Sequence, residues 1–142
     1  MKKIITLVAL SVLLTGCVRS GANNVSVKAE QLTGHRFVLE TVNGQAVPPG
    51  EHPADIRFDN EMKVSGHMCN SFSGQGKLSE GKLTVKNMAM TRMMCADAQR
   101  NTLDSTIGTL LNAGAQVDLT DSQLTLTTAD QTLIYKLAAE AQ

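Results

Sequence analysis

The stretch that decides the fold runs from Gly66 to Cys95. It opens with Gly66-His67-Met68-Cys69-Asn70-Ser71-Phe72-Ser73-Gly74 and closes with Ala89-Met90-Thr91-Arg92-Met93-Met94-Cys95. Two of the three cysteines and most of the methionines lie here. A bond between Cys69 and Cys95 would close this stretch into a loop and tie the first half of the chain to the second. On either side the apolar residues mostly follow period two, the mark of half-buried strands. Upstream, Phe37, Leu39 and Thr41 alternate ahead of Asn43-Gly44, a strong hairpin signal. Gln45 to Val47 is a short return strand. Pro48 to Pro53 is a loop, because proline cannot serve a central ladder. Ala54–Phe58 and Met62–Met68 form a second pair around Asp59-Asn60-Glu61. Ser71 to Gly76 reads as turn-rich. Lys77-Leu78 and Lys82–Val85 form a third hairpin around Ser79-Glu80-Gly81.

Downstream the period changes. Leu103, Ile107, Leu110 and Leu111 share one face of a helix over residues 97–113. Asp97 suits its N-cap and Gly114 its stop. Gly108 inside it weakens the helix by about 1 kcal/mol relative to Ala. Alternating segments follow at Val117/Leu119, Leu124/Leu126 and Leu133/Tyr135/Leu137. Some five strands, one helix and three more strands point to an α+β fold, an antiparallel sheet with one helix packed against it, or to a small barrel that the helix plugs or interrupts.

The first residues read as an address. Lys2 and Lys3 precede a largely apolar run, Ile4 to Leu14, too short to span a bilayer, which needs about 20 residues. Leu14-Thr15-Gly16-Cys17 follows at once and resembles a bacterial lipobox. Residues 1–16 are thus expected to be a lipoprotein signal peptide, with Cys17 the lipid attachment site. Residues 17–31 read as a polar, flexible tether and residues 32–142 as the domain. Asp after the lipidated cysteine retains bacterial lipoproteins in the inner membrane, so Val18 points to the outer membrane, periplasm-facing.

Composition excludes several classes. Thirteen basic residues balance thirteen acidic ones. Losing Lys2 and Lys3 leaves eleven against thirteen, so no basic excess marks a nucleic-acid binder. Three Phe, one Tyr and no Trp argue against a base-stacking platform. Ser73-Gly74 lacks the nucleophile elbow, and Gly74-Gln75-Gly76 lacks the third glycine and helix of a dinucleotide site. The histidines, His35, His52 and His67, are scattered in sequence. We therefore expect no catalytic residue and no cofactor or metal site, and a membrane contact through the lipid on Cys17. The domain itself reads as a monomer that binds an envelope protein or an apolar ligand. A cavity between the helix and the sheet would favour the ligand, a filled core the protein. A periplasmic hydrolase, or a copper-handling protein using Met68, Met88, Met90, Met93 and Met94, is the alternative. Against copper, Met also fills irregular cores.

In an oxidising compartment Cys69 and Cys95 read as a disulfide. The rival is a metal pair with His67, for which the sequence offers no nearby fourth ligand.

Ser65-Gly66-x-x-Cys69-Asn70-x-Phe72-Ser73-Gly74, then Met90-Thr91-Arg92-Met93-Met94-Cys95, then a helix and a strand meander, together resemble the META domain family over about Leu32 to Leu137. The family's common wording has Gly directly before the first Cys, whereas His67 and Met68 intervene here. The resemblance implies a cracked-barrel-like α+β domain, a link to heat stress and novobiocin tolerance, and no known enzymatic activity.

The closed loop has a thermodynamic signature. A 26-residue span is worth roughly 3.5 kcal/mol in the chain-entropy account. Cys69→Ser and Cys95→Ser should each lower the unfolding free energy by a few kcal/mol, and the double variant little more than either, because both remove one bond. Additive losses in denaturant unfolding would show that the thiols act separately.

Overall fold

The computed structural model describes residues 26–48, 50 and 52–138. Residues 1–16, expected to be a signal peptide, and Cys17 lie outside the described residues. So does most of the tether.

Tight turns set the strand order. Asn43 and Gly44 have φ 51° and 83°, and Glu80 and Gly81 have φ 53° and 79°. Positive φ at both central residues is the type I′ signature, whose twist matches that of paired strands. These turns join β1 (Arg36–Val42) to β2 (Gln45–Ala46), and β5 (Ser71–Ser79) to β6 (Lys82–Val85). Between them run β3 (Asp55–Phe58) and β4 (Lys63–His67). After β6 come β7 (Ala89–Met90), helix α2 (Ala98–Ala113), β8 (Ala115–Thr120), β9 (Gln123–Thr127) and β10 (Thr132–Leu137).

Every pairing is antiparallel, in the order β10-β9-β8-β6-β5-β4-β3-β1. The first and last strands then pair with each other, Phe37 opposite Leu137 and Val42 opposite Leu133. Eight strands therefore close into a barrel, which leaves the main sheet without a free edge. Its thinnest seam is β6–β8, where only Lys82↔Gln116 and Leu83↔Ala115 pair. Strands β1 and β5 fork, β1 pairing with both β3 and β2 and β5 with both β6 and β7.

Two expectations need correction. Ser71 to Gly76 is not turn but the greater part of the longest strand. Its glycines face inward, where a side chain would not fit. A Cβ on Gly74 would lie 2.6 Å from Val85 Cγ1, and one on Gly76 would lie 2.7 Å from Val64 Cγ2. Glycine in a strand here marks close packing rather than a bend. Secondly, a short helix, α1 (Ala29–Leu32), occupies the end of the stretch read as tether. Leu32 is buried and Val27 packs against the core, so ordered structure begins ahead of residue 32.

Helix α2 matches the residues its apolar stripe marks. Asp97 Oδ1 accepts the Gln99 and Arg100 N–H groups at 2.7 and 3.4 Å, and Gly114 ends the helix at φ 101°. Its Leu103, Ile107, Leu110 and Leu111 join the barrel core. That core is filled by Phe37, Phe58, Ile56, Leu124, Leu126 and Tyr135 among others, with Phe37 and Phe58 edge to face at 6.1 Å.

Tyr135 is wholly buried, and its hydroxyl has no hydrogen-bond partner among the described residues. Burial pushes its phenol far above the usual tyrosine range, and the Asp55 charge adds to the shift. The folded state thus holds this proton more tightly than the unfolded chain. Its contribution is complete below the unfolded value near 10 and is lost as pH rises above it. Tyr135→Phe should flatten that alkaline loss in pH-dependent denaturant unfolding. At neutral pH it should be neutral or stabilising by up to about 1 kcal/mol, since an unpaired buried hydroxyl disappears.

Candidate functional site

Three loops meet at one rim of the barrel: β2–β3, the β4–β5 corner, and β7–α2. The first two turns of α2 bind all three. Asp104 accepts the backbone N–H groups of Cys69 and Asn70 on Oδ1, at 3.0 and 2.9 Å, and the Asn70 side-chain amide on Oδ2 at 2.7 Å. Asn101 accepts the Cys95 N–H at 3.0 Å and returns a bond to the Cys95 carbonyl at 3.0 Å. Arg100 donates to the His52 carbonyl, with its guanidinium against Gly50.

Asn70 is the centre of this arrangement. It is only 6% exposed, and both ends of its amide are used. Its Oδ1 accepts from the Thr91 hydroxyl at 2.9 Å and from the Met93 N–H at 2.7 Å. Its Nδ2 donates to the Met93 carbonyl at 2.9 Å as well as to Asp104. A buried amide is tolerable only when satisfied in this way. Cys69 and Cys95 stand in bonding position across the same junction, with Cα atoms 5.8 Å apart, inside the range a disulfide needs.

The pinning has a consequence for two neighbours. The backbone is held at Met93 and again at Cys95, and the side chains between are turned outward. Met93 is 70% and Met94 86% exposed. Met68 by contrast is in the core, and Met88 and Met90 pack against it. The methionine group therefore divides into core filling and surface display.

Beside the methionines lies a groove of about 510 Å³, bordered by His52, His67, Ser71, Met93, Met94 and Arg100 among others. Two histidines that are scattered in sequence meet here, with His52 and His67 ring centres 5.7 Å apart. His35 is elsewhere, edge-on to Phe37. His67 Nδ1 stands 3.2 Å from Asp55 Oδ1. Asp55 is 1% exposed, with Arg36 Nε at 2.7 Å and an Arg57 nitrogen at 3.5 Å. Those guanidinium groups compensate a carboxylate that burial would otherwise penalise.

Asp55, His67 and Ser71 lie directly opposite one another on three adjacent strands. That order resembles a nucleophile triad, yet no hydrogen bond joins Ser71 and His67 among those of the described residues. The Ser71 N–H is engaged by Thr91 Oγ1 at 3.2 Å.

None of Arg100, Asn101, Asp104, Asp55 or His52 carried a role in the sequence reading. The available signal was slight: three polar residues on the first turns of a helix that otherwise buries leucines.

Asn70→Ala should lower stability by about 3 kcal/mol, because the Met93 backbone, the Thr91 hydroxyl and Asp104 all lose a partner. Asp104→Ala should cost a similar amount. Denaturant unfolding of the double variant should fall short of the summed losses by about 1–2 kcal/mol, the coupling expected within one network.

The fold and its polar latch can now be set beside known proteins. The model of the META domain matches residues 30–140. The chain is 58% identical over 138 residues to "Heat shock protein HslJ" of Escherichia coli (strain K12), covering 97% of each. A solution NMR structure at 61% identity superposes with a TM-score of 0.73, covering 78% of this chain and 94% of that one. A second, from Burkholderia xenovorans, is 19% identical with a TM-score of 0.65 over 96% of this chain and 100% of its own, a likeness of fold alone. With the family model matching residues 30–140 and a 58% identical relative covered over 97% of its length, the chain belongs to the META domain family.

Proposed function

We propose that this chain is a non-enzymatic, heat-stress-associated envelope lipoprotein that binds a protein partner through the rim groove. In this reading Cys17 carries the lipid, the outer membrane holds it, the domain faces the periplasm, and Cys69 and Cys95 are bonded. The heat-stress association comes from HslJ, whose name states it.

One observation carries the choice of partner: the barrel interior is filled by side chains, with Tyr135, Phe37, Phe58, Leu124 and Leu126 all sealed from solvent. An apolar ligand enclosed by the barrel would need that space. Binding is left to the surface, where Met93 and Met94 stand out beside a groove. Unbranched thioether side chains adapt to varied apolar surfaces, which suits a polypeptide partner. Their backbone is already fixed by Asn70 and Asn101, so little ordering is lost on contact.

A photoreactive residue placed at Met94 should give a discrete protein adduct in heat-stressed cells, while one at Asp118, on β8, should not. Equal yields at both positions would overturn the reading. Cys17→Ala should release the chain from outer-membrane fractions, and unchanged sedimentation would remove the anchoring half. Tolerance to novobiocin, implied by the family resemblance, should fail to return in a deletion strain carrying Met93→Ser with Met94→Ser.

A further inference from the structure

We infer that the rim groove holds a soft monovalent metal ion of the Cu(I) class, with His52 and His67 supplying nitrogen and Met93 and Met94 supplying sulfur. This does not rest on a protein partner, and its test contains none.

The donors are assembled by the fold, not by the sequence. His52 comes from the β2–β3 loop, His67 from the end of β4, and the methionines from the β7–α2 loop, yet all four border one groove. Each tie already described serves to place a donor. Arg100 holds the His52 backbone, and Asn70 and Asn101 hold the methionine backbone on both sides of Met94.

The distance between the imidazoles fits a shared ion. With metal–nitrogen bonds of about 2.0–2.1 Å, two rings on one ion have centres about 5–6 Å apart for angles between tetrahedral and linear. The observed separation is 5.7 Å. His67 is further prepared by what lies behind it. Its Nδ1 faces the Asp55 carboxylate, which Arg36 and Arg57 hold in turn, leaving Nε2 for the groove. A carboxylate behind a histidine in this way fixes the tautomer and raises its donor strength, a recurrent arrangement behind metal-bound imidazole.

The donor set selects the ion. Among the described residues no three His, Cys, Asp or Glu side chains converge. Structural zinc needs four ligands from such groups, and calcium or magnesium needs oxygens. Two imidazoles with two thioethers suit a soft ion. Among the described residues Met68 lies in the core and Met62, Met88 and Met90 pack against it, whereas Met93 and Met94 are exposed at the border of the groove.

Silver(I) is the probe, because it shares the ligand preference and needs no reductant that would open a disulfide. Titrated into the full-length chain in detergent micelles, it should bind once per chain. NMR should show shifts at the His52 and His67 rings and the Met93 and Met94 methyls, with the Met68, Met88 and Met90 methyls unmoved. His52→Gln, and separately Met93→Leu with Met94→Leu, should each weaken binding at least tenfold. These side chains are exposed, so unfolding without metal should match the parent. His67→Gln should do the same if its metal-free unfolding is also unchanged. A free-thiol assay before and after should read the same. Parent-like affinity in the His52→Gln or double methionine variant overturns the inference, as does the absence of saturable binding. So does silver uptake that appears only as thiol is released.

Discussion

The Asn70 amide, held between the Asp104 carboxylate and the Met93 backbone, is the interaction on which the rim depends. It sits where a strand corner, a loop and a helix must be joined without a backbone ladder to do it. Hydrogen bonds at such a junction contribute only modestly when formed, but leaving a buried donor or acceptor unpaired costs far more. That asymmetry makes the junction all-or-none. With Asn70 in place, the Thr91 hydroxyl, the Met93 backbone and the Asp104 carboxylate all have a partner. Cys69 and Cys95 stand in bonding position across the same junction, so their contact and the polar constraints act on one point.

Barrel closure leaves the rim as the accessible end of a filled scaffold. Pairing of β1 with β10 closes the main sheet, and large side chains fill its inside. What could be recognised is thereby moved to the loops, as is usual where a rigid scaffold carries variable connections. The loops at this rim are themselves rigid. Arg100, Asn101 and Asp104 lie within two turns of one helix, and each engages a different loop. The helix has two faces with separate duties, leucines into the barrel and polar residues into the loops.

The buried Asp55 shows a similar economy on the outer face of the barrel. Arg36, Arg57 and His67 reach it from three strands. Such clusters add little net stability against an apolar alternative, but they hold side chains in a defined orientation. Here the oriented side chain is a histidine that faces the groove.

Much of the META fold was legible in the chain itself, because its signals are local. Asn43-Gly44 and Glu80-Gly81 demand left-handed backbone, the alternation in β8 to β10 demands one buried face, and Asp97 with Gly114 bounds the helix. Each is decided by residues within a few positions of one another. Ser71 to Gly76 was misread because its glycines answer to Val85 and Val64 on the neighbouring strands, contacts that no local window contains. The candidate site was hidden for the same reason. His52 and His67 are neighbours only because the β3–β4 pairing folds the chain back on itself, and Asn70 meets Asp104 only because α2 packs across the corner. The sequence by itself determined the hairpin turns, the alternating strands β8 to β10 and the bounds of α2, since these follow from short-range sterics and hydrophobic period. Register, barrel closure and the meeting of donors at the rim were decided by the tertiary structure alone, because they depend on which distant surfaces pack together.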